Sequence, residues 1–187
     1  MSQVGIEILT TYGVALAVHT SLELIGKLDH MPSDLSYAGT RIRPRLKPMS
    51  EEMADLDRDL YRKHGKKNHE GNIYVDRNGH VVFENPGAED AFLAEKRAKL
   101  NDPFTFVTYS CKESVIDELK AGKYEGGFGF LDALIGTVIL TAEEETELKT
   151  SAETRKRESK ELDMAAVVSD EKETPVTETP KGKAKKG

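Results

Sequence analysis

The residues with the most chemical potential in this chain lie in one stretch: His64, His69 and His80, with Asp76 and Glu84 close by. Imidazole and carboxylate groups together can hold a divalent metal or relay a proton. Their spacing fits no metal motif, and Asp76-Arg77-Asn78-Gly79 lacks the further oxygen ligands of a calcium loop. They read as solvated loop and turn residues. Cys111 precedes a helix-forming segment and would be a low-pKa thiol at that helix's N-terminus, but no histidine stands near it in sequence to act as a base. Gly126-Gly127-Phe128-Gly129 lacks the lysine and the dinucleotide fingerprint of a phosphate cradle, and reads as a flexible entry into a buried segment. His19 shares a helix side with Leu16, Leu22 and Ile25 and reads as a histidine at a core edge; His30, in a turn, carries no signal. No catalytic residue, cofactor-binding set or metal-ligand set emerges, so the expectation is a non-enzymatic protein with no cofactor.

Residues suited to contact remain, and they are organised by the stretch from Ile42 to Gly65. Ile42, Leu46, Met49, Met53, Leu56 and Leu60 recur at intervals of four and three, which on an α-helix draws one narrow apolar seam. Glu51, Glu52, Asp55, Asp57, Arg58, Asp59, Arg62 and Lys63 are left for water or partners. Of these, Glu51, Glu52, Asp55, Arg58, Asp59 and Arg62 are the candidate interaction residues. The seam needs a facing helix, within one chain or from a second copy, and spacing alone does not choose between them. Pro44 and Pro48 each remove a backbone donor. Either the helix restarts at Pro48, with proline in its first turn, or one long helix is kinked there; the restart is the expected form. Lys63 and His64 suit the last turn, and Gly65 suits a left-handed cap.

The neighbouring elements follow from the same rules. Val4–Leu9 alternates as a short strand before a helix capped by Thr10 or Thr11, and Leu16, Val18, Leu22, Ile25 and Leu28 give that helix a broad buried face. Pro32-Ser33-Asp34 then breaks the chain, so that two helices fold back as an antiparallel hairpin. The runs Ile73–Asp76 and Val81–Glu84 flank Asn78-Gly79 and predict a β-hairpin, whose tip adds Asn78 and Gly79 to the candidate contacts. Asn85-Pro86-Gly87 opens a helix to about Asn101 with Phe92, Leu93 and Leu100 on its buried side. Phe104–Tyr109 reads as a third strand beside the hairpin, making a small antiparallel sheet. Ser114–Ala121 reads as a short helix anchored by Ile116 and Leu119, and Phe130–Leu140 as a buried segment closing the core.

From Thr141 the composition changes. Thr141-Ala142-Glu143-Glu144 is a capping box, and the run to Met164 is charged on every face, with Leu148 and Leu162 as its large apolar residues before Met164. After Val168 the composition is that of a disordered tail. Its basic tip, Lys181, Lys183, Lys185 and Lys186, reads as solvated, with weak contact to nucleic acid or an acidic surface as the alternative.

The expected organisation is a single α+β domain over 1–140, mainly helical, followed by an exposed charged helix over 141–164 and a disordered tail over 165–187. At 187 residues and 37% hydrophobic content one core of that size is affordable in area, under a surface swollen by 32% charged residues. A net charge of −6 argues against a surface that binds nucleic acid or anionic lipid as a whole. The single cysteine excludes an internal disulfide. The N-terminus has no basic leader, Val14–Leu28 is interrupted by His19, Glu23 and Lys27, and Phe128–Leu140 is short and carries Asp132, so a soluble protein with no membrane contact is expected.

From about Leu35 to Leu140 the chain resembles a family of small proteins of tailed bacteriophages and prophages whose domain has no assigned function. The resemblance lies in Leu35-Ser36-Tyr37 opening a charged helix, Leu46-Lys47-Pro48 leading into an acidic stretch, and Leu60-Tyr61-Arg62-Lys63-His64-Gly65 closing it. Val75-Asp76-Arg77-Asn78-Gly79-His80-Val81 then gives a hairpin, followed by an acidic-then-basic helix and an extended segment leading to a leucine-rich helix. The charged C-terminal helix and tail depart from the pattern. The resemblance implies a phage-encoded accessory or structural protein that acts by binding other virion or assembly proteins, in the virion or the host cytoplasm. The alternative is a phage-encoded inhibitor that engages a host factor through an acidic surface. No catalytic residue carries over.

Overall fold

A computed structural model describes the backbone of residues 5–28, 31–121 and 128–170, and side chains for 5–28, 31–120, 129 and 131–161. His30, Gly126-Gly127 and the tail with Lys181, Lys183, Lys185 and Lys186 lie outside the described residues. The described chain is a mainly helical α+β fold: β1 (Ile6–Thr11), α1 (Tyr12–Ile25), α2 (Ser33–His64), α3 (Pro86–Asn101), β2 (Pro103–Thr108), β3 (Cys111–Lys112), α4 (Ser114–Ala121), β4 (Ile139–Leu140) and α5 (Ala142–Asp170). It divides into two units, Met1–Thr150 and Ser151–Gly187.

The chain turns directly from β1 into α1, because the Thr11 hydroxyl accepts from the Val14 amide and satisfies one of the helix's orphan donors. Ala15, Val18, Ser21, Leu22 and Ile25 form its buried face. Tyr12 meets Glu52, Leu22 lies under Gly39 and Glu23 faces Arg43, so α1 and α2 run antiparallel as the expected hairpin. Gly39 lets Leu22 approach to 3.7 Å from where a Cβ would stand, and Gly26 leaves room for the Arg43 guanidinium.

The α2 helix is continuous through Pro44 and Pro48, which corrects the expected restart at Pro48. Proline inside a helix costs roughly 3 kcal/mol through its lost bond and its clash. Both prolines face solvent, while Leu35, Ala38, Ile42, Leu46, Met49, Met53 and Leu60 are buried along the opposite seam. The seam's packing therefore carries the helix across the two missing bonds. At the far end Gly65 has φ −68° and ψ 144°, so it is extended and not a left-handed cap. Glycine is needed there for space: a Cβ would stand 2.6 Å from the Tyr61 carbonyl oxygen, which accepts from the Gly65 amide at 2.8 Å.

Past Gly65 the backbone forms a narrow three-segment meander closed on itself, its first segment bridged to the third (Gly65↔Phe83) as well as to the second (Lys67↔Ile73), and the second to the third (Val75↔Val81). The expected hairpin is its second half, extended by a segment that reads in sequence as a polar loop. Its two turns share one design. The Asn68 side chain accepts from the amides of Glu70 and Asn72, and the Asp76 carboxylate accepts from those of Asn78 and His80, with Gly71 and Gly79 at φ 82° and 85°. So short a β unit is marginal by itself. This one is fastened by Phe83, whose ring lies 5.3 Å from Phe92 of α3 and 6.4 Å from Tyr61 of α2, with Tyr61 and Phe92 stacked at 4.7 Å.

The β2 strand does not join the meander. It pairs antiparallel with β1, from Ile6↔Thr108 to Thr11↔Pro103, and buries Ile6, Ile8, Phe106 and Thr108 against the helices. The segments past Gly65 pair with one another, while β1 offers β2 a partner whose Ile6 and Ile8 continue the same buried face. On α3, Phe92 is buried, Leu100 is half-buried and Leu93 is exposed, so Leu93 does not belong to the buried side. Val115 and Leu119 anchor α4, with Ile116 partly buried beside them. Phe130–Leu140 does enter the core through Leu131, Leu134, Val138, Ile139 and Leu140, but as a 3₁₀ turn and loop ending in β4, parallel to β3, and not as a leucine-rich helix.

The capping box forms as expected: Glu144 donates its amide to the Thr141 hydroxyl and its carboxylate accepts from the Thr141 amide at 2.8 Å. Up to Thr150 the helix is not purely solvated, because Leu148 packs against the core and Glu145 bonds to Lys149 and Ser110. In the second unit, the side chains of 151–161 are exposed apart from Ala152 and Arg155. Among the described residues, no helix is long and apolar enough to cross a membrane.

Candidate interaction surface

The charged flank of α2 divides into an inner row and an outer row. The inner row ties α2 to α3. Lys99 reaches Glu52 at 3.0 Å, Lys96 donates to Asp57 at 2.8 Å, and Lys63 and His64 both meet Glu95, at 2.7 and 2.9 Å. The Tyr12 hydroxyl also donates to Glu52, at 3.1 Å, and the Lys99 ammonium sits 3.9 Å from the Tyr12 ring centre. Glu52, Asp57 and Lys63 therefore tie α2 to α3, with Glu52 and Lys63 still exposed. Periodicity could not separate them from their neighbours, because the partners sit some forty residues away on α3.

These ties set the charge states of the exposed groups that make them. The Lys99 hydrogen bond holds the Glu52 carboxyl below the ordinary value of 4.5, and the bonds from Lys63 and then His64 do the same for Glu95. The Lys99 ammonium is raised in turn, chiefly by its bond to Glu52. A carboxylate lowered in the folded state adds stability above its ordinary value and loses it as pH falls through the lowered one. The melting temperature is accordingly expected to be level near neutrality and to fall below about pH 4.5. Replacing Glu95 by Gln should flatten that acid limb in a thermal melt series; an unchanged limb would place its origin elsewhere.

The outer row is exposed. Lys47 pairs with Glu51 at 3.8 Å, Arg58 with Asp55, and Arg62 with Asp59 at 3.1 Å. Asp55, Arg58, Asp59 and Arg62 line one open depression of about 270 Å³. Its charges alternate in sign along the helix, so the surface offers matched acceptor and donor groups and no continuous acidic field. Asn78 and Gly79 stand exposed at the meander's tip, and no atom lies within 4 Å of where a Gly79 Cβ would be. On the same ribbon Tyr74 and Val75 are about half exposed, at 47% and 46%, with the Lys66 ammonium 6.0 Å from the Tyr74 ring centre.

Sequence reading missed a further cluster at the other end of α2. Arg41 lies 5.1 Å from the Tyr37 ring centre and 5.8 Å from that of Tyr109, and Arg45 lies 5.3 Å from Tyr109. The interval from Tyr37 to Arg41 to Arg45 was a visible signal, since residues four apart share a helix face. Tyr109 was not, because it arrives from the end of β2.

His19 is half-buried beside Arg43 and Lys47 in an open groove of about 330 Å³ between α1 and α2. His64 is spent on Glu95, while His69 and His80 are exposed on the meander, so the three histidines have separate surroundings. Among the described residues no group of three or more His, Cys, Asp or Glu is placed to hold a metal. Cys111 is buried on β3, before α4 begins, where desolvation and the charge of Asp34 push its thiol up to about 12. That reverses the low-pKa reading. In native protein near pH 8 the thiol should resist iodoacetamide and react only on denaturation, as whole-protein mass would show; fast native labelling would contradict its burial.

Compared with protein-family models, with curated proteins and with solved structures, the chain matches none.

Proposed function

We propose that this chain is a virion-associated or assembly protein of a tailed bacteriophage, working by protein–protein contact and without catalysis. The observation that carries the reading is the helix of the second unit, whose side chains from Ser151 to Glu161 are exposed on nearly every side. A helix without an apolar stripe gains little from a core of its own, and a partner's surface is the natural place for it to be held. The tip and flank of the meander, with Asn78, Gly79, Tyr74 and Val75 exposed, give a second projecting surface. The tie to phages rests on the resemblance over Leu35–Leu140. The host-directed alternative needs a continuous acidic face, and the paired charges of α2 lend it no support.

The test is quantitative mass spectrometry of this protein in purified particles of its source virus, against infected-cell lysate, as copies per major capsid protein. A fixed ratio in particles is expected. Presence in the lysate alone would remove the virion reading and leave assembly or a host partner.

A further inference from the structure

We propose that Arg41 and Arg45, braced by Tyr37 and Tyr109, form a docking point for an acidic helix of a partner protein that presents two carboxylates one turn apart. This rests on the reading of the chain as a contact protein and names the chemistry of one partner. The two guanidiniums are exposed, and among the described residues neither has a carboxylate within ion-pair distance. That is unusual on this helix, where Arg43, Lys47, Arg58, Arg62 and Lys63 all face a carboxylate.

Cation–π attraction holds the guanidiniums near the rings without consuming their donors, so their N–H groups stay available for a bidentate acceptor. The brace itself is firm. Tyr109 is 7% exposed, its ring meets Tyr37 edge-on at 6.1 Å, and Gly5 leaves space beside it, since a Cβ there would stand 3.3 Å from the ring. Arginine side chains that are already ordered lose less entropy on binding, and tyrosine and arginine are the residue types on which interface energy concentrates. Arg41 and Arg45 stand one helical turn apart, with Cβ atoms roughly 5–6 Å apart, which matches carboxylates at the same interval on a facing helix. Nucleic acid is the weaker fit. Two phosphate contacts give little counterion release, and the net charge of −6 opposes a polyanion.

The experiment is a titration of full-length protein followed through the arginine Nε–Hε signals. The probe is an alanine-based helical peptide with two glutamates four residues apart; the controls are the same peptide with two glutamines and a short DNA duplex. Signals of Arg41 and Arg45 should move with the glutamate peptide and not with the glutamine one. The double change Arg41→Lys and Arg45→Lys keeps the charge and should weaken binding by roughly tenfold, because lysine neither stacks nor forks. Tyr37→Leu, at a half-exposed position, should weaken it with the fold intact. Equal response to both peptides, undiminished binding by the lysine variant, tighter binding of the duplex, or shifts that follow protein concentration alone would each overturn the proposal. The particle ratio is independent of this titration, so a failed docking point leaves the proposed function standing and a failed ratio leaves the docking point standing.

Discussion

Replacing Leu46 by Ala is expected to lower the unfolding free energy by about 3–4 kcal/mol, the range for a fully buried leucine whose cavity cannot collapse. Leu46 is 0% exposed and lies between Pro44 and Pro48. Its packing must hold α2 on the core where the backbone has lost two of its own bonds, so the site has little freedom to relax. Leu93→Ala, at a position 36% exposed, should cost less than about 1 kcal/mol and serves as the control. Urea unfolding of the two variants decides the matter. A small loss at Leu46 would mean that the proline segment is held by something other than the seam.

Cutting the chain after Thr150 is expected to leave the melting temperature of the first unit nearly unchanged and to abolish incorporation into particles. The first unit keeps the Thr141–Glu144 capping box, the Leu148 contact and the Glu145 bonds, and the described side chains removed, Ser151–Glu161, are exposed apart from Ala152 and Arg155. A cut after Leu140 removes those anchors as well and should lower the melting temperature by several degrees, since about 1 kcal/mol moves a domain of this size by roughly 2–4 °C. Calorimetry and particle copy number are read on both. If the Thr150 truncation melts much lower, the distal helix is part of the fold; if it still enters particles in full number, that helix is not the contact.

The local code of this chain was open to direct reading. The Thr11 cap, the helix start at Asn85-Pro86-Gly87, the Thr141–Glu144 box, the break at Pro32 and the turn at Asn78-Gly79 each depend on a few neighbouring residues, and each forms. The seam of α2 was legible for the same reason, because its period is a property of one helix. Gly65 misled, since glycine serves close approach as well as positive φ and the sequence does not say which. Phe130–Leu140 reads as a buried segment and is one; the leucine-rich helix was implied by the resemblance alone, and a 3₁₀ turn and loop stand in its place.

Sequence alone carries where most of the helices begin, which side of α2 is apolar, and that chemistry-bearing residues are scattered without a catalytic spacing. The packed fold settles which strand β2 joins, that α2 runs unbroken through its prolines, that Glu52 and Asp57 tie to α3, and that Tyr109 lies beside two arginines that have no ion pair among the described residues. The physical reason is range. Caps and periods act within a turn or two of the chain, while strand partnership, proline tolerance and ion pairing depend on surfaces brought together from thirty to a hundred residues apart, as Ile6 and Thr108 are.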